Sequence, residues 1–299
     1  MCDETTAREA EEYLRRQGMS RRTFNKAVTK AGLGAALGAM LPPLAAAADV
    51  VESDVSVTTP DGEADAYFVH PAKGRHPAVI LWPDIFGIRP AFRQMGRRLA
   101  QQGYAVLVVN PYYRNHRGPV VPAGTEVIDA DVRKVVMPGA RKLAGTLSPQ
   151  TAVSDGRAFV QYLDAQPSVD TGSRIGVMGY CMTGSYALRL AAAMPQRIGA
   201  AASFHGGGLV TDGADSPHRL APEIDAGVLI AIAENDDARQ PEAKTVLKET
   251  FASAGGDAEI EVYEGTLHGW CPTDSAAYNE VQAERAWSRM LALFRRKLD

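Results

Sequence analysis

From Val50 onward the apolar and polar positions follow two rhythms. "VVESDVSVTT" and "EADAYFVHP" each alternate, and "PDG" (Pro60–Gly62) separates them, which predicts an antiparallel hairpin. The segments that follow are unbroken apolar runs: "AVILW" (78–82), "AVLVV" (105–109), "RIGVM" (174–178), "IGAAASF" (198–204), "GVLIAIA" (227–233) and "AEIEVY" (258–263). Runs of this kind belong to strands covered on both faces of a parallel sheet. Helical spacing of apolar residues fills the intervals around 90–101, 152–165, 183–194, 240–254 and 276–297. Strand and helix alternate with long connections. The expected fold class is therefore α/β, with a mostly parallel central sheet, helices on both faces and an N-terminal antiparallel hairpin. No repeat or low-complexity linker interrupts 49–299, which reads as one domain. In such sheets ligands gather beyond the carboxyl ends of the strands, so the loops there are where chemistry is expected.

Residues 1–48 differ in kind. "SRRTFNK" (Ser20–Lys26) sets two adjacent arginines before an uncharged stretch, Ala31–Ala48, that ends in "LPPLAAAA". A charged region, a short apolar region and a small-residue cleavage site describe an export signal. Pro42 and Pro43 interrupt the apolar part, so a stable membrane span of ~20 residues is not expected. The segment resembles a twin-arginine (Tat) signal, which implies the Tat export machinery as partner of the precursor and a periplasmic or secreted mature protein beginning near Asp49.

Composition mainly excludes. The formal net charge is −3, with no basic block outside the N-terminus, so nucleic acid is not an expected partner. Three cysteines (Cys2, Cys181, Cys271) make no disulfide framework, and no Cys/His spacing suits a metal. No metal or other cofactor is expected.

The loops after the strands hold the candidate chemistry. After "RIGVM" comes Gly179-Tyr180-Cys181-Met182-Thr183-Gly184, then a helical pattern. A nucleophile elbow needs small residues around the nucleophile, because its tight turn crowds the strand before it and the helix after it. Gly179 and Gly184 meet that need; Thr183 stands where a glycine is common. A thiol at a helix N-terminus is favoured as thiolate, and the Met182 N–H would face a developing oxyanion. After "GVLIAIA" come Glu234, Asp236 and Asp237; after "AEIEVY" comes His268. Nucleophile, acid and histidine in this chain order are those of the α/β-hydrolase fold. Asp236 is favoured as the acid that orients the imidazole, and Asp237 reads as its solvated neighbour.

On "PDIFGIRP", "GYAVLVVNPYYR", "GYCMTG", "IAENDD" and "LHGW", the chain from about Val55 to Leu298 resembles the dienelactone hydrolases (carboxymethylenebutenolidases), cysteine-nucleophile members of the α/β-hydrolase fold. The resemblance implies a triad of Cys181, Asp236 and His268, a second oxyanion donor at the Ile85 N–H, and a substrate-carboxylate arginine at Arg114. The family's thiol-switching glutamate corresponds to Asp84, one methylene shorter. The implied reaction is cleavage of a small-molecule lactone or activated carboxylic ester through a thioester. A thiolate is expelled more easily than an alkoxide, which suits substrates with good leaving oxygens. Two other readings stand beside it: a general carboxylesterase of the same fold, and a non-catalytic scaffold that binds or senses through its thiol.

"SFHGGG" (Ser203–Gly208) looks like the oxyanion motif of lipases, but it follows the nucleophile instead of preceding it. It reads as a tight turn with a structural histidine, His205. Cys271 is expected to pack.

Overall fold

The computed structural model describes residues 48–298; the expected export signal, Ala48 excepted, lies outside the described residues. β1 (Val50–Thr59) and β2 (Gly62–Pro71) form the antiparallel hairpin, turning at Pro60-Asp61 with Thr59 opposite Gly62. β3 (Ala78–Trp82), β4 (Ala105–Val109), β5 (Ile175–Tyr180), β6 (Ile198–Phe204), β7 (Gly227–Ala233) and β8 (Ala258–Tyr263) follow. They join the hairpin in one sheet of order β1-β2-β4-β3-β5-β6-β7-β8. β2 pairs with β4 antiparallel, and every pairing from β4 across to β8 is parallel. The fold is the expected α/β architecture.

Alternate residues of each strand point to opposite faces, and both faces are covered. On one side α3 (Pro149–Asp164), α4 (Gly184–Ala193) and α6 (Ala243–Ser253) bring Phe159, Leu163, Leu188, Leu190 and Phe251 onto Ile80, Leu107 and Val177. On the other, α1 (Pro90–Ala100) and α7 (Glu280–Leu298) bring Phe92, Leu99, Met290 and Phe294 onto Val79, Leu81, Val106 and Met178. A fully buried aliphatic or aromatic side chain contributes roughly 1.5–3 kcal/mol, so these two layers fix the strand ends in space.

Three elements depart from the expectation. β5 runs on to Tyr180, placing the strand end directly against Cys181. The stretch after β7 is not a loop: α5 (Glu234–Arg239), a short helix, precedes α6. And α2 (Ala130–Ala144), which the hydrophobic pattern did not yield, is a full helix capped by Asp129, whose carboxylate accepts from the Asp131 and Val132 N–H groups. It packs on loops: Val136, Met137 and Ala140 join Ile85, Phe86, Val121, Ile128 and Cys181 in a cluster that contains no residue of the sheet.

Candidate active site

Cys181 begins a single 3₁₀ turn, Cys181–Thr183, between β5 and α4. Its φ is +57°, a left-handed conformation that is rare outside glycine and costs of order 1–3 kcal/mol. The surroundings enforce it. A Cβ at Gly179 would run into the Thr183 carbonyl, and one at Gly184 would meet Ser203 Oγ and lie 2.7 Å from Gly206 Cα. Thr183 is more than a tolerated departure from glycine. Its buried hydroxyl accepts the Tyr180 N–H at 2.9 Å and lies 2.9 Å from the Pro83 carbonyl, tying the elbow to the end of β3. The Cys181 carbonyl in turn accepts the Gly207 N–H at 3.0 Å. Strand, turn and neighbouring loops thus hold the thiol at the sheet's carboxyl edge.

The acid and the histidine arrive from β7 and β8. His268 Nδ1 lies 2.6 Å from Asp236 Oδ2. The two residues before Asp236 brace the same loop: Asn235 Oδ1 accepts the His268 N–H at 2.8 Å, and Glu234 accepts the Gly265 N–H at 2.6 Å. Asp237, by contrast, is held by Lys244 at 2.7 Å. Choosing between the adjacent aspartates therefore has a structural answer: Asp236 meets the imidazole and Asp237 does not.

One pocket is lined by Cys181, His268, Asp84 and Ile85, together with Arg133, His205 and others. It collects the expected nucleophile, histidine, oxyanion-loop residue and shortened acid. Met182 follows Cys181 in the elbow, and its side chain packs with the α2 cluster. Asp84 is turned to a partner the sequence reading did not consider. Arg89, 2% exposed, donates to both of its oxygens at 2.7 and 2.9 Å and to both oxygens of Asp274 at 2.7 and 3.1 Å. Burial alone would lower the Arg89 pKa; the two carboxylates more than reverse this and hold it above its ordinary value. Asp84 Oδ1 also accepts the Phe86 N–H at 2.9 Å, so the cluster sets the shape of the loop that carries Ile85.

Arg114 stands apart from that lining. It does not line the pocket: its guanidinium is taken by Asp155 at 2.6 and 2.8 Å and by Asp61 at 2.6 and 2.9 Å, and it lies over the Tyr113 ring. Two arginines do line the pocket: Arg89, taken up by Asp84 and Asp274, and Arg133, on α2 over the Phe86 ring, with Nε and Nη2 buried and without a hydrogen-bond partner among the described residues. His205 is the other residue the sequence reading left out of the site; its ring stands edge-to-face to His268 with centroids 4.9 Å apart. Cys271 packs as expected. It is buried among Tyr180, Phe204 and Trp287, and burial pushes its thiol pKa well up. No cluster of side chains fit to hold a metal ion occurs among the described residues.

Residues 64–298 match the model of the dienelactone hydrolase family. The chain belongs to that family. With it, the protein is a hydrolase of ester or lactone bonds. It is 26% identical over 232 residues to the carboxymethylenebutenolidase of Rhodococcus opacus, covering 75% of this chain and 83% of that one. The carboxymethylenebutenolidase of Pseudomonas putida is likewise 26% identical, over 79% of this chain and 93% of its own. The solved dienelactone hydrolase of Anabaena variabilis superposes with a TM-score of 0.57 at 16% identity, over 84% of this chain and 99% of its own, a likeness of fold.

Proposed function

We propose that this dienelactone hydrolase family member cleaves a small lactone or activated carboxylic ester by covalent catalysis at Cys181. The observation that carries the reading is the strained Cys181 turn in one pocket with His268, whose far nitrogen side is fixed by Asp236 at 2.6 Å. Cys181 Sγ attacks the carbonyl carbon, and the leaving oxygen takes a proton from His268. The N–H groups of Met182 and Ile85 serve the oxyanion, and water then releases the acid from the thioester. Asp236 keeps the imidazole in the tautomer that presents Nε2 to the reacting atoms. An acidic group on the substrate would meet Arg133, whose buried N–H groups suit a carboxylate, and not Arg114. Asp84 acts through Arg89 on the oxyanion loop, so its influence on the thiol is indirect. We further propose export: residues 1–48 carry the precursor to the Tat machinery.

The test is stopped-flow hydrolysis of p-nitrophenyl acetate. Wild type should release about one p-nitrophenolate per protein in a burst, and Cys181→Ala and His268→Ala should show none. A Cys181→Ala protein with a full burst would end the proposal. Replacing Arg133 by Leu should raise KM selectively for esters that bear a carboxylate, whereas Arg114→Leu should not.

A further inference from the structure

The polar atoms in the pocket wall divide into those the triad uses and those it does not. His205 belongs to the second group. Its side chain is 1% exposed, and neither Nδ1 nor Nε2 has a hydrogen-bond partner among the described residues. Its φ is +41°, again a left-handed backbone at a residue other than glycine. A buried ring that leaves both nitrogens unmet is uncommon, so packing alone does not account for a histidine here.

The ring is also firmly placed. The His205 N–H donates to the Ala231 carbonyl at 2.8 Å, and two residues on, the Gly207 N–H donates to the Cys181 carbonyl. The loop that carries the imidazole is therefore tied to the nucleophile's own peptide. Burial first, and then the neighbouring charges of His268 and Arg89, hold the His205 pKa well below its ordinary value. A neutral imidazole offers one N–H and one lone pair. The pocket that it lines with Cys181 and His268 has a cavity volume of about 20 Å³. That is room for about one water molecule.

We propose that His205 is the second anchor of the water that hydrolyses the acyl-enzyme. The inference rests on the reading of Cys181 as nucleophile, and His205 acts in it as a positioning residue. One hydrogen of the water points to His268 Nε2 and the other to the lone pair of His205, which turns an oxygen lone pair toward the thioester carbon. As the C–O bond forms, the first proton passes to His268. The tetrahedral oxyanion collapses, the C–S bond breaks, and Cys181 leaves as thiolate beside the imidazolium. The acid product then departs. A protonated His205 would have no lone pair to offer, which gives its suppressed basicity a purpose.

The experiment separates acylation from deacylation, with p-nitrophenyl acetate as probe. The first-turnover release of p-nitrophenolate by His205→Phe should stay within about threefold of wild type, because acylation needs no water. Decay of its acetyl-enzyme, followed by intact mass, should slow by about tenfold or more, the scale of one hydrogen bond to a reacting group. His205→Asn should recover part of the lost rate, since its amide both donates and accepts and asparagine tolerates a left-handed backbone. Hydroxylamine attacks thioesters without general-base help and should clear the acetyl-enzymes of wild type and His205→Phe equally fast. His205→Ala, which only removes the ring, is read in the same way. The proposal is overturned if acetyl-enzyme decay in water stays within about twofold of wild type. It is equally overturned if acylation and hydroxylamine clearance fall as far as hydrolysis does, since the ring would then shape the whole site. A full burst from Cys181→Ala is a different failure: it removes the nucleophile, and this inference with it.

Discussion

Replacing Arg89 by leucine removes one cation from between two carboxylates. In the wild type, Asp84 and Asp274 have side chains only 8% and 13% exposed, and four charge-assisted hydrogen bonds from one guanidinium satisfy them. Leucine would fill much of the volume, but the aspartates would face each other with no counter-charge. Breaking a buried pair by deleting one partner costs about 3–5 kcal/mol, and here two partners are stranded, so the upper half of that range is expected. For a domain of this size each kcal/mol moves the midpoint by about 2–4 °C, giving a fall in Tm of about 8–20 °C. Differential scanning calorimetry at pH 7, with guanidinium unfolding as a second measure, reads it directly. Lysine at position 89 should recover only part of the loss, because a point charge cannot span both carboxylates as the planar fork does. The effect should reach activity as well: Asp84 holds the Phe86 N–H, and Ile128 donates its own N–H to the Asp274 carbonyl at 2.7 Å. Both sides of the pocket mouth hang on this cluster. A leucine variant that loses less than about 1 kcal/mol would refute the reasoning.

Three more outcomes can be checked. Iodoacetamide at pH 7–8 should label Cys181 and leave Cys271 untouched in the native state, since burial pushes the Cys271 thiol pKa up; peptide mapping that finds Cys271 modified at a similar rate would contradict this. Because the folded-state pKa of His205 lies below its unfolded value of ~6.5, its contribution to stability is full above that pH. The contribution declines as pH falls, by up to about 1.4 kcal/mol per pH unit; urea midpoints between pH 7 and 5 should fall more steeply for wild type than for His205→Asn. Exchanging Arg21 and Arg22 together for lysine should retain the precursor in the cytoplasm, and N-terminal sequencing of exported protein should begin near Asp49; an intact Met1 in the exported fraction would defeat the export proposal.

What the sequence made legible depended on whether the deciding contact was local. Strands buried on both faces announce themselves as apolar runs, so β3, β4, β6, β7 and β8 match the runs residue for residue. The elbow was legible because its glycines and its cysteine are neighbours in the chain. α2 was not, since Pro138-Gly139 within it reads as a turn and its buried side chains answer to loops instead of a sheet. With α2 hidden, Arg133 could not be placed in the pocket. Arg114 is the opposite case: the local motif was clear, but the carboxylate that claims its guanidinium stands on α3, 41 positions away. The pairing of Asp84 with Arg89 needed Asp274, 185 positions beyond, to complete it. His205 sat in a glycine-rich turn, and only the approach of β8's loop gives its ring a histidine for a neighbour.

The way α2 rests on loops has a consequence for how this protein can change. Cys181, Asp236 and His268 are tied to the sheet through the elbow and the β7 and β8 ends, whereas Arg133 rides on a helix that shares no core residue with that sheet. Altering Val132, Arg133, Val136 or Met137 therefore leaves the two core layers of the sheet as they are, and reaches Cys181 only through the loop cluster that α2 and the cysteine share. A mutagenesis library confined to 130–144 therefore samples one wall of the pocket while leaving in place the sheet that carries the elbow and the β7 and β8 ends.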